Sequence, residues 1–225
     1  MERRCIREGM VATDQDVLRL FERRGQEKDF ETLMMEYQCA IYEIQTKLDV
    51  INADLSLQTS RNPLESTTSR LKSPLSIYNK LRSRGYTVTV DNVEKYLHDV
   101  AGIRVISSFI DDIYTLRDYL IEQDDVKLIE EKDYLKNPKE NGYRSLHIIL
   151  EIPIFLTSGK KPRKVEVQFR TIAMEFWASL EHKLKYKKDI PNAMSIAEEL
   201  GYSAELINQL DLRMMQIRKR LDGDV

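Results

Sequence analysis

Glycine is scarce in this sequence. Eight glycines, at positions 9, 25, 85, 102, 142, 159, 201 and 223, are spread over 225 residues with no two within fifteen of each other. That spacing excludes GxGxxG and GxxxxGK[ST], the loops in which glycine lets backbone N–H groups close around phosphate. Any phosphate bound here is held by side chains, chiefly Arg and Lys. Cysteine is scarcer still: Cys5 and Cys39 are too few for a disulfide framework or a cysteine-based zinc site, and they suit a reducing cytoplasm. Long apolar runs are missing too. No stretch approaches the ~18 to 20 apolar residues that span a bilayer, and MERRCIREGMVATDQDV has no apolar segment behind its basic residues, so neither membrane insertion nor secretion is expected. Excess positive charge is also lacking, with 35 basic against 37 acidic residues and a net charge of −2, which argues against a dedicated DNA-binding protein. Apolar residues at 42% and charged residues at 32% describe a folded, well-solvated chain, and its length suits one domain with added helices.

What is present begins with periodicity. Leu33, Met34, Tyr37, Ile41, Ile44, Leu48 and Ile51 recur at helical spacing, which predicts one long amphipathic helix over 30–56. Asn62 and Pro63 break the chain, and a second helix is expected from Pro74, N-capped by Ser73 and ended by Gly85. A short helix over Val93–His98 leads into AGIRVISSF (101–109), whose β-branched residues predict a buried strand. Residues 111–123 then read as a helix, 126–131 as a strand, and YLKNPKENG as a polar loop closing at Gly142. Residues 143–152 and 163–170 read as two more strands, and 171–187 and 195–221 as helices. The pattern defines a single α/β (α+β) domain, a central mixed sheet of about four to five strands flanked by helices. Residues 1–28 carry no motif and are expected to be a poorly ordered extension ahead of a domain over 29–225.

Four segments carry groups suited to chemistry. Residues 66–90 contain no acid but include Arg70, Lys72, Lys80, Arg82 and Arg84. On the helix from Pro74, Ser76, Lys80 and Arg84 share one face, and the helix start adds unpaired N–H groups, together an anion-binding surface. A solvated basic face is the alternative reading of such a cluster. In RKVEVQFR, strand alternation places Lys164, Glu166, Gln168 and Arg170 on one face and Val165, Val167 and Phe169 on the other. In NGYRSLH the same parity groups Tyr143, Ser145 and His147, and an aromatic at a strand mouth can stack on a nucleobase. In HDVAGIRV, Asp99 precedes an apolar strand and Arg104 lies within it; the two differ in parity, so they share a site only if the chain bends between them. Two separated carboxylates, several Arg and Lys, and no glycine-rich loop point to phosphoryl chemistry with a hydrated Mg2+.

Taken in order, RLKSPLSIYNKL, HDVAGIRVISSF, NGYRSLH and VEVQFRTIAMEFWASLEHKL resemble the synthetase domain of the RelA/SpoT family, and within it the single-domain small alarmone synthetases, over residues 62–187. The resemblance implies a nucleotidyltransferase-like synthetase fold and Mg2+-dependent transfer of pyrophosphate from ATP to the 3′-hydroxyl of GTP or GDP, giving pppGpp or ppGpp and AMP. By position it implies that Arg70 and Arg104 sandwich the adenine and that Lys72, Ser76 and Lys80 hold the ATP phosphates. Asp99 and Glu166 would bind Mg2+, with Glu166 activating the 3′-hydroxyl. Tyr143 would stack on guanine, with His147, Gln168 and Arg144 completing the acceptor site. A cytoplasmic, homotetrameric stress-response enzyme is implied as well. KSPLSI, HDVAGIRVISSFIDDIY and NGYRSLHIILEIP lean towards the RelP-type rather than the RelQ-type branch. The hydrolase and regulatory domains of long family members do not fit in 225 residues, so synthesis without hydrolysis is expected.

Two other outcomes stay open at this level. A relative could pyrophosphorylate adenine nucleotides or the tRNA 3′ end, and a silent relative could bind nucleotide or single-stranded RNA. The intact Asp99 and Glu166 pair weighs against the second. Tyr143 does not choose among acceptors, since every base has a stacking face.

Overall fold

The computed structural model describes residues 11–59, 61–185 and 193–223. Helix α1 (Asp14–Arg23) opens on a reciprocal capping box between Thr13 and Asp16. It buries Val17 and Phe21, with Phe21 stacked on Phe30 at 4.2 Å. Part of the segment expected to lack order is therefore a capped, packed helix, while residues 1–10 lie outside the described ones. The long helix predicted over 30–56 is α2 (Glu27–Thr59). Leu33, Tyr37, Ile41, Ile44, Leu48 and Ile51 form its buried face, joined by Ala40 and Leu55. Each large apolar side chain removed from water there stabilises the fold by ~1.5 to 3 kcal/mol.

The remaining elements are β1 (Leu64–Leu71), α3 (Pro74–Ser83), α4 (Val90–Tyr96), β2 (Ala101–Ser107), α5 (Ile110–Ile121), β3 (Lys127–Asp133), β4 (Leu146–Leu156), β5 (Gly159–Thr171), α6 (Ile172–Lys185) and α7 (Ala193–Asp222). The end of the helix predicted to run to Lys187 falls outside the described residues. The strands form one sheet in the order β1-β2-β5-β4-β3, with β2 and β5 parallel and every other neighbour antiparallel. Five strands meet the upper end of the expectation. The added one is β1, whose sequence LESTTSRL has no apolar alternation because only Leu64 is buried.

One face of the sheet, carrying Ile103, Val105, Ile148, Leu150, Val165, Val167 and Phe169, is buried beneath α2 and α5. An ion-pair cluster fastens α2 to this layer. Glu36, buried in α2, accepts from Lys161 at 2.7 Å and from Arg163 Nε at 2.9 Å, and Arg163 also reaches Glu94 of α4 at 2.8 Å. Burial works against the Glu36 carboxylate, but these cationic partners outweigh it and hold the carboxyl below its ordinary range.

The opposite face carries the polar residues. The register aligns Thr68, Arg104, Gln168, His147 and Lys132 in a single row across all five strands. The adjacent row holds Arg70, Gly102 and Glu166. Gly102 thus leaves a gap in the sheet surface between Arg70 and Glu166.

Candidate active site

That gap is the floor of a cleft of about 320 Å3 lined by Thr68, Ser69, Arg70, Asp99, Gly102, Ile103, Arg104, Glu166 and Gln168. Asp99 and Arg104 do share it. Asp99 stands in the connection before β2 begins, so strand parity does not govern its direction. Its Oδ2 accepts Lys72 Nζ at 3.0 Å and also Lys80 Nζ, while Oδ1 is buried with no partner. Burial disfavours the charged form, but the two ammonium groups dominate and lower the Asp99 pKa. Glu166 faces the same cleft. Burial raises its pKa, yet contacts with His147 Nδ1 at 3.6 Å and Gln168 Nε2 at 2.8 Å outweigh burial and keep it ionised. Two ionised carboxylates, one with a vacant buried oxygen, are hard donors that fit Mg2+, whose remaining positions are usually filled by water and substrate phosphate. Among the described residues no group of three or more His, Cys, Asp or Glu forms a metal cluster.

The basic helix is placed as expected but used differently. Lys80 and Lys72 converge on Asp99, and Ser76 lies one turn before Lys80. The N-terminal N–H groups of α3 are already engaged, since Ser76 N donates to Ser73 Oγ at 3.3 Å and Leu75 N to Asp14 Oδ1 at 2.7 Å. The helix start therefore does not offer the open anion site that the sequence suggested. Arg84 also departs from the expected face: its Nη1 donates to the Tyr96 carbonyl at 2.8 Å and caps the end of α4.

On the other side of Glu166 lies the loop over 134–145. The carboxylate of Asp133 accepts from Leu135 N at 2.9 Å and Lys136 N at 3.0 Å, which turns the chain. Gly142 takes φ 83° where the loop meets α7, and a Cβ there would lie 2.5 Å from that of Ala204. Tyr143 Oη contacts His147 Nε2 at 2.8 Å and accepts from Arg170 Nη2 at 2.6 Å. Tyr134 meets both rings edge-on, at 6.1 Å from Tyr143 and 5.3 Å from His147. Lys139 Nζ stands 4.7 Å from the Tyr134 ring centroid and 4.8 Å from that of Tyr143.

Arg70, Lys72, Lys80, Asp99, Arg104, Tyr143, His147, Glu166 and Gln168 are thus joined through one cleft and its rim, with Ser76 beside Lys80. Arg144 is the exception. It points towards α7, donating to Glu205 Oε2 at 3.0 Å and to the Gly142 carbonyl at 3.3 Å, so it supports the loop from behind. Ser145, expected beside Tyr143, is buried and donates to the Phe169 carbonyl at 2.9 Å, because regular pairing of β4 starts only at Leu146. Sequence reasoning gave no role to Tyr134, Lys139 or Glu175 and placed Arg170 on the polar face of its strand without assigning it to the site, because the contacts that bring these four in are non-local. A larger groove of about 720 Å3 runs along α7 beside Gln209, Arg213 and Lys219; its lining holds no carboxylate and shares no residue with the cleft.

A mixed sheet that sets a carboxylate pair against converging lysines defines a protein built to handle phosphoryl groups. A family model described as the region found in RelA / SpoT proteins matches residues 69–191, and the chain belongs to the RelA/SpoT family. GTP pyrophosphokinase YwaC of Bacillus subtilis is 42% identical over 197 residues, which are 87% of this chain and 93% of that protein. The crystal structure of small alarmone synthetase 2 from Bacillus subtilis aligns with a TM-score of 0.76 at 41% identity, over 85% of this chain and 99% of that one. Small alarmone synthetase 1 from the same organism, bound to its product pppGpp, aligns with a TM-score of 0.77 at 32% identity, over 87% of this chain and 99% of that one. The higher identity to synthetase 2, the RelP-type protein, agrees with the lean of the motifs.

Proposed function

We infer that this chain is a small alarmone synthetase, a GTP pyrophosphokinase that makes (p)ppGpp from ATP and GTP or GDP. The observation that carries the reading is the convergence of Lys72 and Lys80 on Asp99 in the cleft that also holds Glu166. Arg70 and Arg104, on adjacent strands at the rim, are suited to stack on the two faces of adenine. The ATP phosphates then run along Lys72, Ser76 and Lys80. Asp99, with its vacant Oδ1, and Glu166 would hold Mg2+, which when bound neutralises phosphate charge and helps align the transferred group. Guanine stacks on Tyr143, while His147 and Gln168 face the acceptor ribose.

In this arrangement the acceptor 3′-oxygen attacks the β-phosphorus of ATP. A new P–O bond forms, the bond from the β-phosphorus to the oxygen bridging to the α-phosphate breaks, and AMP leaves. Glu166 accepts a hydrogen bond from the 3′-hydroxyl and takes its proton. With its pKa lowered it is a weak base, so its task is orientation as much as proton removal.

The reading extends to a cytoplasmic stress response. Among the described residues no helix is long and apolar enough to cross a membrane. Exposed apolar side chains on α2 (Met35, Tyr42, Val50, Leu57) and on α6 and α7 (Phe176, Tyr202, Leu210) provide surface for a homotetramer, which light scattering would measure. The direct test incubates purified protein with labelled ATP, Mg2+ and each of GTP, GDP, GMP, ATP and tRNA. AMP together with pppGpp or ppGpp is expected. Label on the adenine nucleotide or tRNA alone would reassign the acceptor, and no transfer at all would overturn the reading.

A further inference from the structure

Glu175 stands in the first turn of α6, at the edge of the cleft. Its Oε1 accepts from Arg104 Nη1 at 2.8 Å and its Oε2 from Arg170 Nη1 at 2.6 Å, so one carboxylate gives each oxygen to a different guanidinium. The two arginines serve opposite ends of the site. Arg104 lines the donor cleft. Arg170, nearly buried, donates from Nη2 to Tyr143 Oη at 2.6 Å, and its guanidinium carbon lies 5.1 Å from the centroid of the Tyr143 ring. An unbroken chain of contacts therefore runs from Arg104 through Glu175 and Arg170 to Tyr143.

The physical consequence concerns order before binding. A free arginine at a cleft rim samples many rotamers and loses them when it stacks on a base; a carboxylate that already holds it removes much of that cost from the binding step. Carboxylate and guanidinium also pair directionally, so the hold fixes orientation as well as position. Arg170 grips Tyr143 by both hydroxyl and ring face, which limits rotation of that ring. Pyrophosphate transfer needs the acceptor oxygen and the β-phosphorus in line, and small displacements between two bound nucleotides are costly.

We propose that Glu175 is a positioning residue: by bridging Arg104 and Arg170 it sets the adenine platform and the guanine platform in one fixed relation. The proposal rests on the reading of Arg104 and Tyr143 as stacking groups. Glu175 itself touches neither the metal-binding pair nor the lysines in this structure.

The test is steady-state kinetics of the full chain and its Glu175→Gln variant, with ATP and GTP varied in turn. Gln keeps the shape but turns an NH2 group towards one arginine. The KM for ATP and the KM for GTP are each expected to rise by about threefold or more. A merely structural role would reduce the active fraction, and so the apparent kcat, and leave both KM values in place. A change below that threshold in either KM overturns the proposal. If Glu175→Gln does not fold, as judged by circular dichroism, Glu175→Asp is read by the same rule. Wild-type protein that forms no (p)ppGpp would instead overturn the functional reading, and the two failures are thereby distinct.

Discussion

Asp14, the first residue of α1, accepts the backbone N–H of Leu75 at 2.7 Å and so occupies the N-terminus of α3 with a carboxylate supplied from sixty-one residues away. The contact joins two helices that the sequence did not relate. It also means that a triphosphate approaching α3 meets the side chains of Lys72, Ser76 and Lys80 rather than free backbone donors. Asp14→Ala removes a cap, and a loss of ~0.5 to 2 kcal/mol is expected in urea unfolding. Unchanged stability would show that Asp14 contributes nothing to α3.

Glu166 is ionised through His147 and Gln168, against the effect of burial. Glu166→Gln keeps the volume and removes the charge. AMP and (p)ppGpp formation should fall by ~100-fold or more, while circular dichroism and the thermal midpoint stay as in the wild type. Nucleotide chromatography measures this, and retained wild-type turnover would remove Glu166 from the reaction.

Tyr143→Ala deletes the proposed guanine platform. Stacking on one aromatic is worth ~1 to 3 kcal/mol, which corresponds to a rise of ~5 to 150-fold in KM for the guanine nucleotide. The KM for ATP should move much less. Equal effects on both substrates would count against stacking at Tyr143.

Gly142→Ala asks two things of the loop at once. The backbone must hold φ 83° with a side chain, and the new Cβ must find room where Ala204 stands 2.5 Å away. Overpacking of this kind typically costs ~1 to 3 kcal/mol. A lower thermal midpoint is expected together with a raised KM for the guanine nucleotide, because Tyr143 is the next residue. A variant indistinguishable from wild type in both respects would show that the loop yields freely.

Asp211 supplies a pH signature outside the site. It is buried on α7, where burial raises its pKa and a 2.6 Å bond from Thr171 Oγ1 only partly opposes that. A carboxyl with a raised folded pKa binds more protons in the native than in the unfolded state, so stability falls as pH rises from the ordinary Asp value to the folded one. Asp211→Asn, which can still accept from Thr171, should unfold at a higher temperature than wild type near pH 8. The gain should vanish near pH 4. An equal difference at both pH values would exclude titration as its cause.

The long helix was legible because its buried positions repeat at one period, from Leu33 to Ile51, over more than five turns. Asp99, Glu166, His147 and Gln168 were legible as a set because short motifs fixed their types, and strand alternation placed Glu166 and Gln168 on one face; the pairing that sets His147 beside them came from the fold. β1 was not legible, since LESTTSRL owes its strand form to pairing with β2 and not to burial of its own side chains. α1 escaped for a related reason: its packing depends on Phe30 and α3, which no local pattern reveals. Arg84 was read as part of an anion-binding face and Arg144 as completing the acceptor site, since both lie within or beside the site motifs. Their partners, the Tyr96 carbonyl and Glu205, come from other elements. Charge type travels with the sequence, whereas the direction in which a long side chain is spent depends on what the fold brings beside it.

The close approach of Gly142 to Gly201 and Ala204, together with the bonds from Arg144 to Glu205 and from Asn141 to Glu181, makes α6 and α7 the outer wall of the acceptor loop. A chain cut before α7 would keep every group assigned to ATP and to the metal, and Tyr143 would still meet Arg170 and His147, but Gly142 and Arg144 would lose the surface they rest on. Such a truncation would loosen the acceptor half of the site and leave the donor half as it is.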